Sequence, residues 1–348
     1  MKAATFRGPS KPYLEIKDVP APKPGSDEIL VKVAATGICH SDIHLFKGDF
    51  GPVRQGFIPG HEVSGWVEEL GPDVKNPWGL KKGDPVIVSW IVPDGICKYC
   101  ASGKENYCPT AAGRMPGLVG LNGGHAEYIT IPEIAVIPLE KGVDVYYAAP
   151  IACAYGTAYH ALREAGVGPG TSLVIIGVGG VGLSAIQLAS AMGAYPIIAV
   201  DIRDYALDKA KELGATHVIN STKEDPISRV RDILPDGADV VHEARPEPDL
   251  KLSMEVVARA GTIVVTGLGG PKSSFSVNVL PFVINGIRIM GSLGYRPRLD
   301  LPEIIRLVAS GKVDIKKLVS HVYAPEQINE AYENLEKGLH ARAIVKWS

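Results

Sequence analysis

The sequence predicts an α/β protein in which a doubly wound parallel sheet is combined with a second, mostly β domain. The chain has 348 residues, more than one ordinary compact domain needs. Before Pro150, short β-branched runs are separated by Pro and Gly, whereas strand-like and helix-like stretches alternate after it. The roughly 60 residues after about Asn285 are too few for a core of their own, so we expect them to complete the first domain.

Apolar, β-branched runs predict the strands of both domains. In the first domain the predicted strands are Ile29–Val33, Val86–Val88 and Tyr128–Ile131. In the second domain they are Leu173–Ile176, Ile197–Val200, His217–Ile219, Val240–His242 and Thr262–Thr266. The predicted helices between these strands are Leu183–Met192, Tyr205–Leu213 and Leu250–Val257. Near the C-terminus we expect helices at Leu301–Ser310 and Pro325–Gly338, a final strand at Ala343–Lys346 and a β-rich stretch at Val277–Leu293.

One uncharged segment, Leu173–Val200, is long enough to span a bilayer. Several glycines, Gln187 and Pro196 divide it into a strand, a turn, a helix and a second strand. A buried parallel strand also appears in sequence as a continuous apolar run, so we interpret the segment as protein core and expect no membrane partner.

Charge and cysteine content restrict the function classes. With 36 basic and 38 acidic residues, the chain offers no basic surface typical of nucleic-acid or membrane binding. Lys2, Arg7 and Lys11 interrupt the N-terminus, so we expect no secretory signal. Five cysteines, three of them within twelve positions, favour metal ligation over disulfides and a reducing, cytoplasmic location.

A glycine-rich turn follows the predicted strand Leu173–Ile176. Gly177 permits a tight turn, Gly179 lets the backbone approach a pyrophosphate, and Gly182 lets helix and strand pack closely. The intervening Gly180 and Val181 open a helix whose free amides would face the anionic ligand.

A carboxylate ends the next predicted strand. Asp201 lies 19 residues after Gly182, where it can accept both adenosine ribose hydroxyls and would repel a 2′-phosphate. We therefore predict NAD rather than NADP, although Arg203 could attract a phosphate. Asp201 could alternatively cap the helix that follows.

Three thiols and a carboxylate are crowded into one loop. Asp94 precedes Cys97 by three residues, Cys97 precedes Cys100 by the same spacing, and Cys108 follows. Three thiolates suit tetrahedral zinc, and Asp94 is the predicted fourth ligand. A closed site of this kind would be structural, because it would hold a loop that buries little apolar surface.

A second group of metal-ligating residue types is scattered along the chain. It comprises Cys39, His61 with the adjacent Glu62, and Cys153. Sequence spacing cannot show that these residues meet, and Cys153 could be an ordinary buried thiol or His61 a core histidine. From the residues alone both interpretations remain open.

Taken together, the motifs resemble those of the zinc-containing alcohol dehydrogenases of the medium-chain dehydrogenase/reductase superfamily. The resemblance covers essentially the whole length and rests on Cys39–His44, Gly60–Glu62, the loop of residues 94–108, Gly123–Tyr128 and Gly177–Gly182. It implies a GroES-like catalytic domain, residues 1–153 completed by 287–348, and an NAD-binding Rossmann domain, residues 154–286. It also implies two zinc ions per chain, one catalytic and one structural.

The resemblance implies that Cys39, His61 and Cys153 hold the catalytic zinc and leave one position open for water or substrate oxygen. Glu62 can enter the coordination sphere in this family. Asp42 corresponds to the carboxylate that orients the ligand histidine.

The implied mechanism uses the zinc as a Lewis acid that lowers the pKa of the substrate alcohol. Ser41 takes the proton, which passes through the cofactor ribose to His44. Thr157 corresponds to the residue beside the nicotinamide, and Arg342 and His40 to residues that contact the pyrophosphate. We also expect Leu268 to contact the cofactor.

Two positions depart from the family pattern. Asp94 stands where most members have a fourth cysteine. The segment of residues 243–246, Glu-Ala-Arg-Pro, replaces a Gly-containing turn near the cofactor, so the local adenosine contacts are open.

The predicted function is reversible hydride transfer between a primary or secondary alcohol and NAD. The alternative is a polyol or sugar dehydrogenase of the same superfamily, in which the second cysteine ligand is often Glu, so Cys153 favours a simple alcohol. A zinc-free reductase would lack the ligand set, and a non-catalytic protein would not need Ser41 and His44. Because members of the family are dimers or tetramers, we expect a homo-oligomer, with Val277–Leu293 pairing across a two-fold axis.

Overall fold

The computed structural model describes all residues, Met1–Ser348. The chain forms two compact units, one comprising Met1–Gly156 with Gly294–Ser348 and the other Thr157–Leu293. The sequence-based limits, 153/154 and 286/287, lie three and seven residues from these divisions.

Fifteen strands and eleven α-helices make up the two units. The strands are β1 Lys2–Phe6, β2 Leu14–Asp18, β3 Glu28–Ile38, β4 Val63–Leu70, β5 Pro85–Val88, β6 Tyr128–Pro132, β7 Val136–Pro138, β8 Leu173–Ile176, β9 Ile197–Asp201, β10 His217–Asn220, β11 Ala238–Glu243, β12 Val257–Val265, β13 Arg288–Gly291, β14 His321–Tyr323 and β15 Ala343–Lys346. The helices are α1 His40–Lys47, α2 Lys98–Ala101, α3 Ala154–Glu164, α4 Gly180–Ala191, α5 Asp204–Glu212, α6 Pro226–Ile233, α7 Leu250–Val256, α8 Val279–Ile284, α9 Pro297–Ala309, α10 Ile315–Leu318 and α11 Ile328–Glu336.

The first unit is built on a seven-stranded, mainly antiparallel sheet. Its strand order is β14-β15-β3-β4-β5-β7, and β6 pairs with β3. The C-terminal strand β15 pairs antiparallel with β3, with Ala343 opposite Ile38. The end of the chain thereby closes the sheet that carries the N-terminal motifs, and β-branched residues such as Val31, Val33 and Val345 fill its core.

The second unit contains a six-stranded parallel sheet in the order β10-β9-β8-β11-β12-β13. Counted from β8 as the first strand, this is the order 3-2-1-4-5-6 of the Rossmann fold, which confirms the predicted fold class. Strands β9 and β10 are added on one side of β8, and β11 to β13 on the other. Dinucleotides bind at the carboxyl ends of the strands beside such a change of side, which here are the ends of β8 and β9.

The uncharged segment from Leu173 to Val200 is core, as predicted. It forms β8, α4 and β9, and the strand residues are buried. None of the helices has the length and apolar character needed to cross a bilayer.

The interpretation of Val277–Leu293 as β-rich was partly wrong. Only Arg288–Gly291 forms a strand, while Val279–Ile284 forms the helix α8. Pro281 lies in the first turn of α8, where no backbone N–H is needed, so proline does not prevent a helix there. β-Branched composition is thus a weak guide to a segment this short.

Candidate active site, metal clusters and dinucleotide site

The segment before α1 brings Cys39 and Asp42 into fixed positions. Cys39 has an extended backbone and precedes the first turn of the helix, and its N–H donates to Asp42 Oδ2 at 3.2 Å. Asp42 is fully buried. This hydrogen bond fixes the Asp42 carboxylate next to the Cys39 backbone at the start of α1.

A buried cluster forms around Cys39. The ligand atoms of Cys39, His61, Glu62 and Cys153 all lie within 4.8 Å of one another. His61 and Glu62 immediately precede β4, and Cys153 precedes α3. Residues that the sequence leaves more than 100 positions apart therefore meet at one point.

The donor set of this cluster fits zinc. His61 Nδ1 donates to Asp42 Oδ1 at 2.9 Å, while His61 Nε2 is buried and has no hydrogen-bond partner. A buried imidazole nitrogen without a partner is unfavourable unless something binds it. Two thiols beside it complete the donors of a catalytic zinc, and the aspartate behind His61 is the support that metal-bound imidazoles usually have.

Charge interactions perturb the acids and bases of the cluster. Burial raises the pKa of Glu62 to about 7, although the Arg342 guanidinium, 3.1 Å from Glu62 Oε1, acts against this rise. Burial lowers the pKa of His61, but Asp42 and Cys39 together outweigh burial and raise the pKa overall. The Cys153 thiol lowers the pKa of Cys39, and its own pKa is raised by the same contact and by burial. The contact between the two thiols therefore makes Cys39 the more acidic of the pair.

Arg342 occupies a buried position at the same cluster. Its guanidinium lies beside Glu62 and donates to the carbonyl oxygen of Ile38 at 3.0 Å. Arg342 is 4% exposed. The structure thus places this predicted pyrophosphate-binding residue against Glu62.

Ser41 and His44 lie on one face of α1, three residues apart. Ser41 Oγ is 3.7 Å from Cys39 Sγ, at the edge of the cluster. His44 is partly exposed and its Nδ1 lies 2.7 Å from Asp49 Oδ2. His40, the first residue of the helix, is exposed.

Aromatic residues enclose the cluster. The Trp90 ring meets the His61 ring edge-on at 6.4 Å and the Tyr295 ring at 5.9 Å. The Tyr295 hydroxyl donates to the carbonyl oxygen of Ala152 at 2.5 Å, which anchors the backbone next to Cys153. Trp90 thus packs directly against the His61 ring, and Tyr295 supports both Trp90 and the backbone before Cys153.

The loop cluster is also assembled. The ligand atoms of Asp94, Cys97, Cys100 and Cys108 lie within 4.8 Å of one another. Asp94 Oδ1 accepts the backbone N–H groups of Cys97 and Ile96 at 2.9 Å each, and these bonds hold the pKa of Asp94 well below its usual value. Burial raises the pKa of Cys100 to about 12, so a neutral thiol is favoured there until a cation binds.

The glycine-rich turn has the geometry that a pyrophosphate needs. Gly177 has a φ of +89°, which favours glycine. A Cβ on Gly182 would lie 2.2 Å from the Gly177 carbonyl oxygen, so the turn and α4 pack too closely for a side chain. A Cβ on Gly179 would meet nothing within 4 Å, which leaves its backbone open to a ligand at the start of α4.

Asp201 joins this turn at the end of β9. Its Oδ2 accepts the Val178 N–H at 2.7 Å, and its Oδ1 accepts the Ile202 N–H at 2.8 Å. Arg203 Nε lies 3.0 Å from Oδ1. The carboxylate that we predict for the ribose is thus held beside the phosphate-binding turn, and Arg203 is paired with it.

The unusual segment after β11 lies against the same turn. Arg245 pairs with the buried Glu243 through Nε at 2.8 Å and a terminal nitrogen at 2.7 Å. A Cβ on Gly177 would approach Arg245 Cγ to 2.8 Å. The charge of Arg245 is therefore balanced within the protein. Thr157, in α3, is half-buried, and Leu268, after β12, is 57% exposed.

Comparisons with known proteins agree with this geometry. Residues 25–141 match the alcohol dehydrogenase GroES-like domain, and residues 180–310 match the zinc-binding dehydrogenases. An alcohol dehydrogenase of Geobacillus stearothermophilus is 37% identical over 99% of both chains. An NAD-dependent alcohol dehydrogenase of Sulfurisphaera tokodaii is 36% identical over 93% of both chains.

A solved structure gives the same result. Benzyl alcohol dehydrogenase from Acinetobacter calcoaceticus aligns with a TM-score of 0.91 and 32% identity, covering 100% of this chain and 99% of that one. The chain belongs to the zinc-containing alcohol dehydrogenases.

Within this family framework, the sequence did not point to three residues that shape the site. Tyr332 and His125 form hydrogen bonds that lead to Asp42, and Tyr295 holds the segment before Cys153. His125 belongs to a motif that carried the family resemblance, yet nothing in that motif indicates its partner. Tyr332 lies 290 residues from Asp42 and no local pattern could have identified it.

Proposed function

We propose that this dehydrogenase transfers hydride reversibly between a primary or secondary alcohol and NAD. The observation that carries the proposal is the buried cluster of Cys39, His61 and Cys153, in which His61 Nε2 has no partner within the protein. The relative from Sulfurisphaera tokodaii is an NAD-dependent alcohol dehydrogenase, which supports the choice of cofactor. Asp201 at the end of β9 supports it independently.

When bound, zinc supplies Lewis acidity toward the alcohol oxygen and NAD supplies the hydride acceptor. Ser41, at the edge of the cluster, accepts the alcohol proton at its Oγ while its own hydroxyl proton is passed on toward His44. His44 lies on the same face of α1 and is partly exposed, so it can release a proton to water while Asp49 orients its ring. The aromatic side chains of Trp90 and Tyr295 exclude water from the ligands.

The test is NADH formation with a panel of primary, secondary, aromatic and polyol alcohols, with NADP as the competing cofactor. We expect NAD to be reduced by simple alcohols and the activity to be lost when a chelator removes the metal. Preference for polyols over all simple alcohols would favour the sugar dehydrogenase branch. Absence of NAD reduction by folded, metal-loaded protein would contradict the proposal.

We further propose that the loop cluster of Asp94, Cys97, Cys100 and Cys108 binds a second zinc with a structural role. Support comes from four ligand atoms within 4.8 Å in a loop whose only regular elements are α2 and short 3₁₀ turns. Four protein ligands leave no open position, which is typical of structural zinc.

We propose a homo-oligomer, a tetramer or a dimer, formed through the edge of the parallel sheet. β13 is the edge strand, and α8 exposes Val279, Leu280, Val283 and Ile284, each at least 64% accessible. Apolar side chains this exposed are a common feature of subunit interfaces. Sedimentation of wild type and of Leu280→Glu tests this: we expect the variant to dissociate, and a monomeric wild type would contradict the proposal.

We also propose a cytoplasmic location. All five cysteines are free thiols in the structure, and two zinc clusters account for every one of them. Thiol titration of denatured, metal-free protein isolated from its host should find five reactive groups, and fewer would indicate disulfides and an oxidising compartment.

A further inference from the structure

A continuous chain of buried hydrogen bonds runs from the C-terminal strand region to His61. The hydroxyl oxygen of Tyr332, on α11, lies 3.0 Å from Asp42 Oδ2. His125 Nε2 lies 2.6 Å from the same hydroxyl oxygen. His125 Nδ1 lies 2.8 Å from Thr36 Oγ1, which accepts the Trp347 indole N–H at 3.0 Å. All of these groups are nearly or fully buried.

The two ends of the chain determine where each hydrogen lies. An indole N–H can only donate, and an ionised carboxylate can only accept. Tyr332 must therefore donate to Asp42 and accept from His125, which requires the proton of His125 to be on Nε2. Thr36 then donates to His125 Nδ1 and accepts from Trp347.

Asp42 also fixes the orientation of the His61 ring. Asp42 Oδ1 accepts from His61 Nδ1 at 2.9 Å, so in the neutral form of His61, which is the form that binds a metal, the proton lies on Nδ1 and the lone pair on Nε2. That nitrogen is the buried atom without a partner beside the two thiols. Burial lowers the pKa of His125 to about 4, which keeps His125 neutral and its single proton on one nitrogen.

We propose that Tyr332 is a positioning residue for the metal ligand His61, because its hydroxyl holds Asp42 in the orientation that directs the lone pair of His61 Nε2 toward Cys39 and Cys153. The inference rests on the proposed metal site and assigns Tyr332 a role in it. Asp42 has two other donors, the Cys39 N–H and His61 itself, and only Tyr332 connects it to α11.

The experiment compares Tyr332→Phe with a matched control, Tyr323→Phe. Both tyrosines lie in the same hydrophobic core, and the Tyr323 hydroxyl accepts a single bond from Asn334 that does not lead to the cluster. Each variant loses only an oxygen atom and retains its ring, so we expect both to fold. Circular dichroism and urea unfolding verify this.

Each protein is loaded with Co²⁺ in place of zinc, and its release to a chelator is followed by visible absorption. The spectrum separates a two-thiolate site from the three-thiolate loop cluster, which serves as an internal reference. We expect Tyr332→Phe to release Co²⁺ about 3- to 10-fold faster than wild type, and only from the two-thiolate site. This effect is smaller than the one expected from removing a residue that bonds directly to a ligand histidine. Tyr323→Phe should match wild type at both sites.

The outcomes separate the inference from the proposed function. Equal release from the two-thiolate site in Tyr332→Phe and Tyr323→Phe would overturn the positioning role while leaving the metal site intact. Faster release from both sites of Tyr332→Phe would indicate general destabilisation and would also overturn it. Failure of wild type to bind Co²⁺ at the two-thiolate site would overturn the proposed function itself.

Discussion

Replacing Asp201 with serine should change the cofactor preference from NAD toward NADP. In the structure the carboxylate lies at the end of β9, is 8% exposed and is paired with Arg203 at 3.0 Å. In the proposed function the carboxylate accepts the ribose hydroxyls of NAD, and the Arg203 guanidinium is occupied by its ion pair with Asp201. Serine removes the negative charge and releases Arg203, so a 2′-phosphate meets a free guanidinium instead of a carboxylate.

The magnitude follows from the charges. Two unit charges about 5 Å apart at an effective dielectric constant of about 20 interact with about 3 kcal/mol. Arg203 already neutralises part of the Asp201 charge. We therefore expect the change in cofactor preference to correspond to about half to all of this interaction energy. The ratio of kcat/KM for NAD to that for NADP should then fall by about 10- to 100-fold, since each 1.36 kcal/mol corresponds to a factor of ten.

The assay is the initial rate of NADH or NADPH formation with one alcohol at varied cofactor concentration. Asp204→Ser is the control, because Asp204 is an exposed acid nearby that pairs with Lys223. A double variant with Arg203→Ala should lose the gain in NADP use. If Asp201→Ser kept the wild-type ratio while remaining folded, the role assigned to Asp201 would be wrong.

Three other changes test separate parts of the molecule. Ser41→Ala should reduce turnover by about 100-fold or more while changing the Kd for NAD less than about twofold, because only proton transfer is lost; near-normal turnover in steady-state assays would remove Ser41 from the relay. Asp94→Ala should lose one metal per chain by elemental analysis and Asp94→Cys should retain it; two metals in Asp94→Ala would show that the carboxylate is not a ligand. Burial lowers the pKa of His242 to about 4, so below about pH 6.5 the unfolded chain binds a proton that the native state excludes. The free energy of unfolding should therefore fall as the pH drops from 6.5 to 4. At pH 5 His242 should account for a loss of about 2 kcal/mol. His242→Gln should reduce this pH dependence in urea unfolding, and an unchanged dependence would refute the assignment.

The glycine-rich turn could be predicted from sequence because its requirements are local. The tight turn at Gly177, the close approach at Gly182 and the start of α4 all arise within six residues. The alternation of strands and helices after Pro150 is similarly local, so the parallel sheet followed from it. Asp201 lies one strand later, which is still within a single βαβ unit.

The proposed ligands of the catalytic metal could be named only through the family resemblance. Cys39, His61 and Cys153 belong to three different segments, and their meeting depends on the packing of β3, β4 and the turn before α3. Periodicity carries no information about such contacts. The loop cluster is different, because the spacing of Asp94, Cys97 and Cys100 itself indicates a ligand set.

Two features could not be predicted from the sequence. One is the hydrogen-bond chain through Tyr332, and the other is the helix α8. Tyr332 lies on the buried face of an amphipathic helix, where a tyrosine reads as ordinary core. In α8, β-branched residues suggested a strand, whereas the segment after Asn278 forms a short helix with an apolar exposed face. Tertiary or subunit contacts decide both cases.

Metal content and turnover measured on the same preparation of Cys153→Ala test the central claim most directly. If Cys39, His61 and Cys153 hold the metal that hydride transfer requires, the variant should contain one zinc per chain where wild type contains two, and NAD reduction by alcohols should be abolished. The remaining zinc would be that of the loop cluster. Retention of both zinc ions by the variant would contradict the account. Oxidation of alcohols at the wild-type rate by a variant that holds only one zinc ion would contradict it as well.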